Sequence, residues 1–145
     1  MKNSADLSVK YYSEHFNCAE SVLKAVTEKL NITNDAIPQI ATGFGGGMAN
    51  TNGRCGALVG GILAINFALG RKSNAESNLS CNEAVSKLIY EFQKKFNVLN
   101  CNDLTGCNLS TETGKEDFKK PERRTACFEF VKFTAAITEK LLLSE

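Results

Sequence analysis

The stretch Cys55-Gly56-Ala57-Leu58-Val59-Gly60-Gly61-Ile62-Leu63-Ala64-Ile65-Asn66-Phe67-Ala68-Leu69 decides the fold class. Leu58, Ile62, Ile65 and Leu69 recur at helical spacing, and Ala57, Gly61, Ala64 and Ala68 form a second stripe of small side chains. A helix with no charge on any face belongs at the centre of a bundle, and its small stripe lets a neighbouring helix approach closely. Asn66 is the one polar interruption and requires a hydrogen-bond partner or a surface.

On both sides of this stretch the apolar spacing is again helical, and nothing alternates apolar and polar for long enough to predict a strand. The expectation is an all-α, single-domain helical bundle of about five to six helices over residues 1–145, with a glycine-rich loop before the central buried helix. A first helix is predicted over 5–14. Asn17, with Glu20 three residues on, caps a second helix that runs to about Leu30 on the stripe Val22, Leu23, Val26 and Leu30, with Asn31 as its stop. A third, short helix is predicted after Thr33 or Asn34, with Pro38 in its first turn and Gly43 at its end. Gly43-Phe44-Gly45-Gly46-Gly47-Met48 then reads as a loop. After Gly70, Ser80 and Glu83 form a capping-box pattern for a helix to about Phe96, burying Val85, Leu88, Ile89, Phe92 and Phe96. Residues 97–121 are polar and turn-rich, with one short helix opened at Asn100. The last helix is predicted from near Glu122 to Leu142, burying Phe130, Val131, Phe133, Ile137 and Leu141.

With 145 residues, 43% of them apolar, the chain can fold around a core without covalent staples. Lysine plus arginine number 17 against 16 aspartate plus glutamate, so no global field draws the chain to nucleic acid or an anionic membrane. Met1-Lys2-Asn3-Ser4-Ala5-Asp6 lacks the apolar core of a secretory signal, and no run approaches the ~20 apolar residues that span a bilayer. A soluble, cytoplasmic protein is expected. Six cysteines in that compartment read as buried small hydrophobes, metal or cluster ligands, or reactive thiols rather than as a disulfide framework.

Cys18, Cys81 and Cys101 each follow a capping-type residue, Asn17, Ser80 and Asn100, and Cys55 follows the polar turn Thr51-Asn52-Gly53-Arg54. The unpaired N–H groups at a helix start favour an anion, which lowers a thiol pKa from its usual ~8.5. Cys127 is predicted a turn inside the last helix, with Arg123 and Arg124 on the neighbouring face. Cys18, Cys55, Cys101 and Cys127 lie 37, 46 and 26 positions apart, so no C-x-x-C pair is present and any cluster must be assembled from distant helices.

Cys55-Gly56-Ala57-Leu58-Val59-Gly60 resembles the CGAxxG element of the C_GCAxxG_C_C family. Phe16-Asn17-Cys18-Ala19-Glu20-Ser21-Val22-Leu23 is similar to that family's first cysteine segment, and the glycine stretch 43–48 resembles it too. Asn100-Cys101 with Leu104-Thr105-Gly106 and Leu109-Ser110, and Arg124-Thr125-Ala126-Cys127 with Phe130-Val131, complete a likeness that covers nearly the whole chain in order. The resemblance implies a redox role carried by Cys18, Cys55, Cys101 and Cys127; Cys81 and Cys107 have no counterpart in its pattern.

Three readings follow. In the first, two or more of the four thiols cycle between thiol and disulfide with an unspecified redox partner, and Cys55 is the reactive group because Arg54 is adjacent and the glycines leave its approach open. In the second, Cys18, Cys55, Cys101 and Cys127 hold an iron–sulfur cluster or a zinc ion, with glycine-loop N–H groups bonded to cluster sulfurs. In the third, the cysteines are buried packing residues with no chemistry. Exposed small or aromatic stripes on a bundle leave room for a homodimer. The glycine loop lacks the Gly-Lys-Ser/Thr ending of a phosphate-binding loop. His15, the only histidine, stands three residues before Cys18 as a candidate ligand or base, though an exposed or satisfied histidine is the better account. Lys119, Lys120, Arg123 and Arg124 are interspersed with Glu116, Asp117 and Glu122 and read as a solvated face.

Overall fold

The computed structural model describes residues 2–144; Met1 and Glu145, the ends of the expected single domain, lie outside the described residues. The described residues are helical, with one isolated antiparallel bridge and no strand. Among the described residues there are eight helices and a 3-10 segment rather than five to six helices: α1 (Ser4–Ser13), α2 (Cys18–Lys29), the 3-10 turn Gln39–Phe44, α3 (Gly45–Met48), α4 (Gly56–Leu69), α5 (Leu79–Phe96), α6 (Cys101–Thr105), α7 (Glu112–Phe118) and α8 (Pro121–Leu143). The extra elements are short ones, which leave no apolar period to read.

α4 packs against α2, α5 and α8, and α1 covers α2 and α8. Two glycines permit this. A Cβ on Gly60 would meet the Ala19 carbonyl at 2.5 Å, and one on Gly61 would meet Thr138 Oγ1 at 2.7 Å and Leu88 Cδ2 at 2.8 Å. Leu23, Leu58, Ile65, Leu88 and Phe92 are fully buried at these contacts, and burying each contributes about 1.5–3 kcal/mol. The central position of α4 holds as far as Ile65; Asn66 and Ala68 are exposed, so the helix surfaces at its end. Asn66 finds its partner in α5, where Cys81 donates to Oδ1 at 3.3 Å. Phe96 packs edge-on against Phe130 and Phe133, joining α5 to α8.

Several local expectations are met. Asn17 and Glu20 form the reciprocal capping box of α2, and Leu30 and Asn31 end it, Asn31 at φ 58°. Others are corrected. No α-helix follows Thr33 or Asn34; Pro38, after a cis peptide bond, opens the 3-10 turn and Gly43 lies inside it. α5 starts at Leu79 rather than after Ser80, because the Ser77 hydroxyl takes the Leu79 N–H and no side chain caps the helix from Asn78. Within 97–121 there are two helices rather than one. Thr111 caps α7 by accepting from the Gly114 N–H at 3.0 Å. Gly114 is there for close contact, since a Cβ would lie 1.7 Å from the Asn108 carbonyl oxygen. Among the described residues, no helix is long and apolar enough to cross a membrane.

Candidate functional site: a cysteine-lined cavity

Four separate elements bring Cys18, Cys55, Cys101 and Cys127 to one region. The Asn17 capping box makes Cys18 the first residue of α2. Its frame is tied down by Asn17 Nδ2, which donates to the Thr42 carbonyl at 3.0 Å, and by the Thr42 hydroxyl, which donates to Glu20 Oε2 at 2.7 Å. Cys55 precedes α4 as its N-cap, and Cys101 opens α6. A short backbone bracket holds these two side by side: Cys55 N–H donates to the Leu99 carbonyl and Cys101 N–H to the Gly53 carbonyl, each at 2.8 Å, around the Arg54–Asn100 bridge. Cys127 enters from the second turn of α8.

Glycines let the groups meet. A Cβ on Gly56 would lie 2.4 Å from the Cys18 sulfur, and one on Gly47 would lie 2.5 Å from the Cys101 Cβ. The expected glycine loop is present, and its backbone is left-handed from inside the short element α3 onward: Gly46, Gly47, Met48, Ala49 and Asn50 have φ of 68°, 73°, 61°, 56° and 66°. Left-handed backbone costs a non-glycine residue roughly 1–2 kcal/mol, so the run through Met48 and Ala49 persists only because its surroundings fix it. Asn50, whose residue type tolerates this region better, carries the turn on from Ala49.

Cys18, Cys101 and Cys127, with Tyr12, Gly46, Ala49 and Asn50, line a cavity of about 500 Å³ whose rim carries Lys115 and Lys119. Cys55 is buried and is not part of the cavity wall. The two features that single it out in the sequence are thus spent elsewhere: the Arg54 guanidinium donates to Asn100 Oδ1 at 2.7 Å, and the sulfur is enclosed.

The four sulfurs form one electrostatic unit. Burial pushes the Cys18 thiol up, opposed by the backbone N–H groups of Gly46, Ala19, Cys18 itself and Ala57. Cys55 is raised well above the usual thiol range by burial and then by a charge on Cys18, opposed by the N–H groups of Leu58 and Ala57. Burial and then Cys18 raise Cys101 to about 11, against the Thr105 hydroxyl. Burial, Cys18 and Cys101 raise Cys127 to about 12, against a hydrogen bond from Tyr12 and the charge of Arg124. The helix-start effect expected to lower these pKa values is therefore present in direction but outweighed by burial, since desolvation penalises the thiolate more than a few N–H dipoles favour it. Cys18 is the hub, because its charge is felt by the other three.

Tyr12 is a member of the site that sequence reasoning did not identify. It is buried, it shares a hydrogen bond with Cys127, and Arg124 stacks 5.4 Å from its ring centroid. An aromatic on the buried face of a short amphipathic helix carries no signal that separates it from a core residue. Of the two arginines expected beside Cys127, Arg124 is present in this way, whereas Arg123 turns to Asp117 and the Thr105 carbonyl. His15 is exposed at φ 73° just beyond α1 and is not in the cavity wall. Cys81 is engaged with Asn66, and Cys107 donates to Asp117 Oδ2 at 3.3 Å. All six cysteines are free thiols, and among the described residues no three cysteine, histidine or carboxylate side chains are grouped to hold a metal ion.

This arrangement covers all the segments on which the sequence likeness rests, and the model of the family described as "Putative redox-active protein (C_GCAxxG_C_C)" matches residues 16–141. The chain belongs to the C_GCAxxG_C_C family. In C_GCAxxG_C_C terms, the structure turns four cysteines scattered along the chain into neighbours. An "Uncharacterized protein" of Archaeoglobus fulgidus is 31% identical over 140 residues, which cover 90% of this chain and 87% of that protein. No solved structure matches the chain.

Proposed function

We propose that this protein is a thiol redox protein in which Cys18, Cys55, Cys101 and Cys127 work as one unit, with Cys18 as the attacking thiolate. The supporting observation is geometric: Cys18 lines the cavity together with Cys101 and Cys127, it is half-buried where the other three are buried, and backbone N–H groups partly oppose the effect of burial on its thiol. Joining Cys18 to Cys101 forms one S–S bond and releases two protons and two electrons, which an acceptor disulfide takes up as it becomes two thiols. Cys55 lies behind the pair as an enclosed reserve thiol, and Tyr12 steadies charge on Cys127. A redox titration in dithiothreitol buffers tests this. The expected result is a reversible loss of two free thiols that Cys18→Ser abolishes; an unchanged titration in that variant would overturn the assignment.

The ligand reading keeps one observation in its favour. Backbone N–H groups are directed at the Cys18 and Cys55 sulfurs, as suits an iron–sulfur cluster held by the four cysteines, and a bound cation would offset the mutual repulsion of four thiolates. A single zinc ion fits less well, since among the described residues no three donors are grouped around one point. Iron and zinc analysis of anaerobically purified protein, with its visible spectrum, separates this reading from the first.

A further inference from the structure

The proposal concerns what enters the cavity that Cys18, Cys101 and Cys127 line. Its volume of about 500 Å³ suits a small molecule. Cys101 and Cys127 are each 8% exposed, too enclosed for a disulfide on the surface of a folded protein to reach. Among the described residues only two charged side chains belong to the wall, and both are cations: Lys115 and Lys119. They stand four residues apart at the C-terminal end of α7, which puts them on one helix face. Phe118 from the same end, with Leu109 and Tyr12, supplies apolar wall. The neighbouring carboxylates leave the positive charge in place. Glu112 meets Lys115 at 3.6 Å and Glu116 meets Lys119 at 3.0 Å, but these are exposed i,i+3 pairs, which are weak, and neither carboxylate lines the cavity. Glu20, two residues after Cys18, is outside the wall as well; its oxygens accept from the Asn17 N–H and the Thr42 hydroxyl. An entering molecule therefore meets positive charge, apolar surface and thiols in one cavity.

We infer that the acceptor for these thiols is a low-molecular-weight disulfide that carries carboxylates, drawn in by Lys115 and Lys119 and reduced at Cys18. This rests on the thiol redox reading above and names its substrate class. The Cys18 thiolate attacks one sulfur of the disulfide. A bond from Cys18 to that sulfur forms, the substrate's S–S bond breaks, and the first small thiolate leaves. Cys101 gives its proton to solvent and attacks the Cys18 sulfur, so that the Cys18–Cys101 bond forms and the second small thiolate leaves. Two electrons pass from the protein to the substrate, and the two protons lost by Cys18 and Cys101 balance those taken up by the two small thiols. A thiolate by itself repels a dianionic disulfide and attracts a dicationic one. Preference for the anion is therefore the signature of the two lysines.

The experiment measures how fast the reduced full-length protein loses thiols to three disulfides of similar size: dithiodipropionate, a dianion; bis(2-hydroxyethyl) disulfide, which is neutral; and cystamine, a dication. Each rate is divided by the rate of the same disulfide with 2-mercaptoethanol. The expected result is a normalised rate about tenfold higher for the dianion than for the dication at low salt, narrowing in about 0.5 M sodium chloride. In Lys115→Gln/Lys119→Gln the ratio falls to about one. Lys94→Gln/Lys95→Gln, which removes the same charge from exposed positions of α5, keeps it. The charge series and its salt dependence are read on the unaltered protein, so they decide even if a variant fails to fold. A dication that reacts as fast as the dianion, or a ratio that survives the loss of both lysines, overturns the substrate class and leaves the redox reading standing. So does Cys18-dependent thiol loss with diamide but with none of the three disulfides. If diamide also produces no Cys18-dependent loss, both are overturned.

Discussion

The α-carbon of Gly56 rests against the sulfur of Cys18, so closely that a Cβ there would meet Sγ at 2.4 Å and the Phe44 carbonyl at 2.8 Å. The CGAxxG glycine therefore makes room for a thiol from another helix. Gly56→Ala is expected to destabilise the fold by about 1–3 kcal/mol and to change the alkylation rate of Cys18. Gly61→Ala meets Thr138 and Leu88 instead and should cost a similar amount while leaving thiol reactivity unchanged. Urea unfolding together with site-resolved alkylation checks both. Equal thiol effects in the two variants would contradict the distinction.

The left-handed turn makes an opposite prediction. Ala49 has φ 56° and ψ 47°, so Ala49→Gly removes a backbone cost of roughly 1–2 kcal/mol, partly offset by roughly 0.5–1 kcal/mol from the freer unfolded chain. A net gain in the urea midpoint is expected. Gly46→Ala, where a Cβ would lie 2.0 Å from Asn50 Oδ1, should lower it.

These cases show what was legible in the sequence and what was not. The α2 capping box and the crowding of α4 by its neighbours follow from short patterns, Asn17 with Glu20 and the Ala57–Gly61–Ala64 stripe, whose physics is local or periodic. The bracket that sets Cys55 beside Cys101 is a single bridge at Arg54 and Asn100, too short to leave an alternating pattern. The glycines announced a turn, but positive φ at Met48 and Ala49 is imposed by tertiary contacts and has no sequence mark. The helix starts at Cys18 and Cys101 are legible in the sequence, yet the acidity of their thiols is not, because burial, unlike capping, is not a local property.

Acidity sets the pH dependence of stability. Cys101 and Cys127 are raised in the folded protein to about 11 and about 12 from an ordinary value of 9.0. Above pH 9 the unfolded chain loses these protons while the folded protein keeps them, so the unfolded state is favoured as pH rises. Stability from this source is full below pH 9 and falls progressively up to pH 11–12. Thermal unfolding between pH 7 and 11 should show the decline, weakened in a Cys101→Ala, Cys127→Ala double variant relative to its own value at pH 7.

Tyr12→Phe removes the hydroxyl that favours the Cys127 thiolate. The alkylation profile of Cys127 should move to higher pH, with Cys81, which donates to Asn66 and does not line the cavity, unaffected as an internal reference. A profile that stays in place would remove Tyr12 from the site.

Disulfide mapping of the oxidised protein tests the central claim most directly, because it asks whether the cavity cysteines react together. The account predicts that one equivalent of diamide produces a Cys18–Cys101 link and leaves Cys81 free. Random pairing, or oxidation spread evenly over all six cysteines, would contradict it.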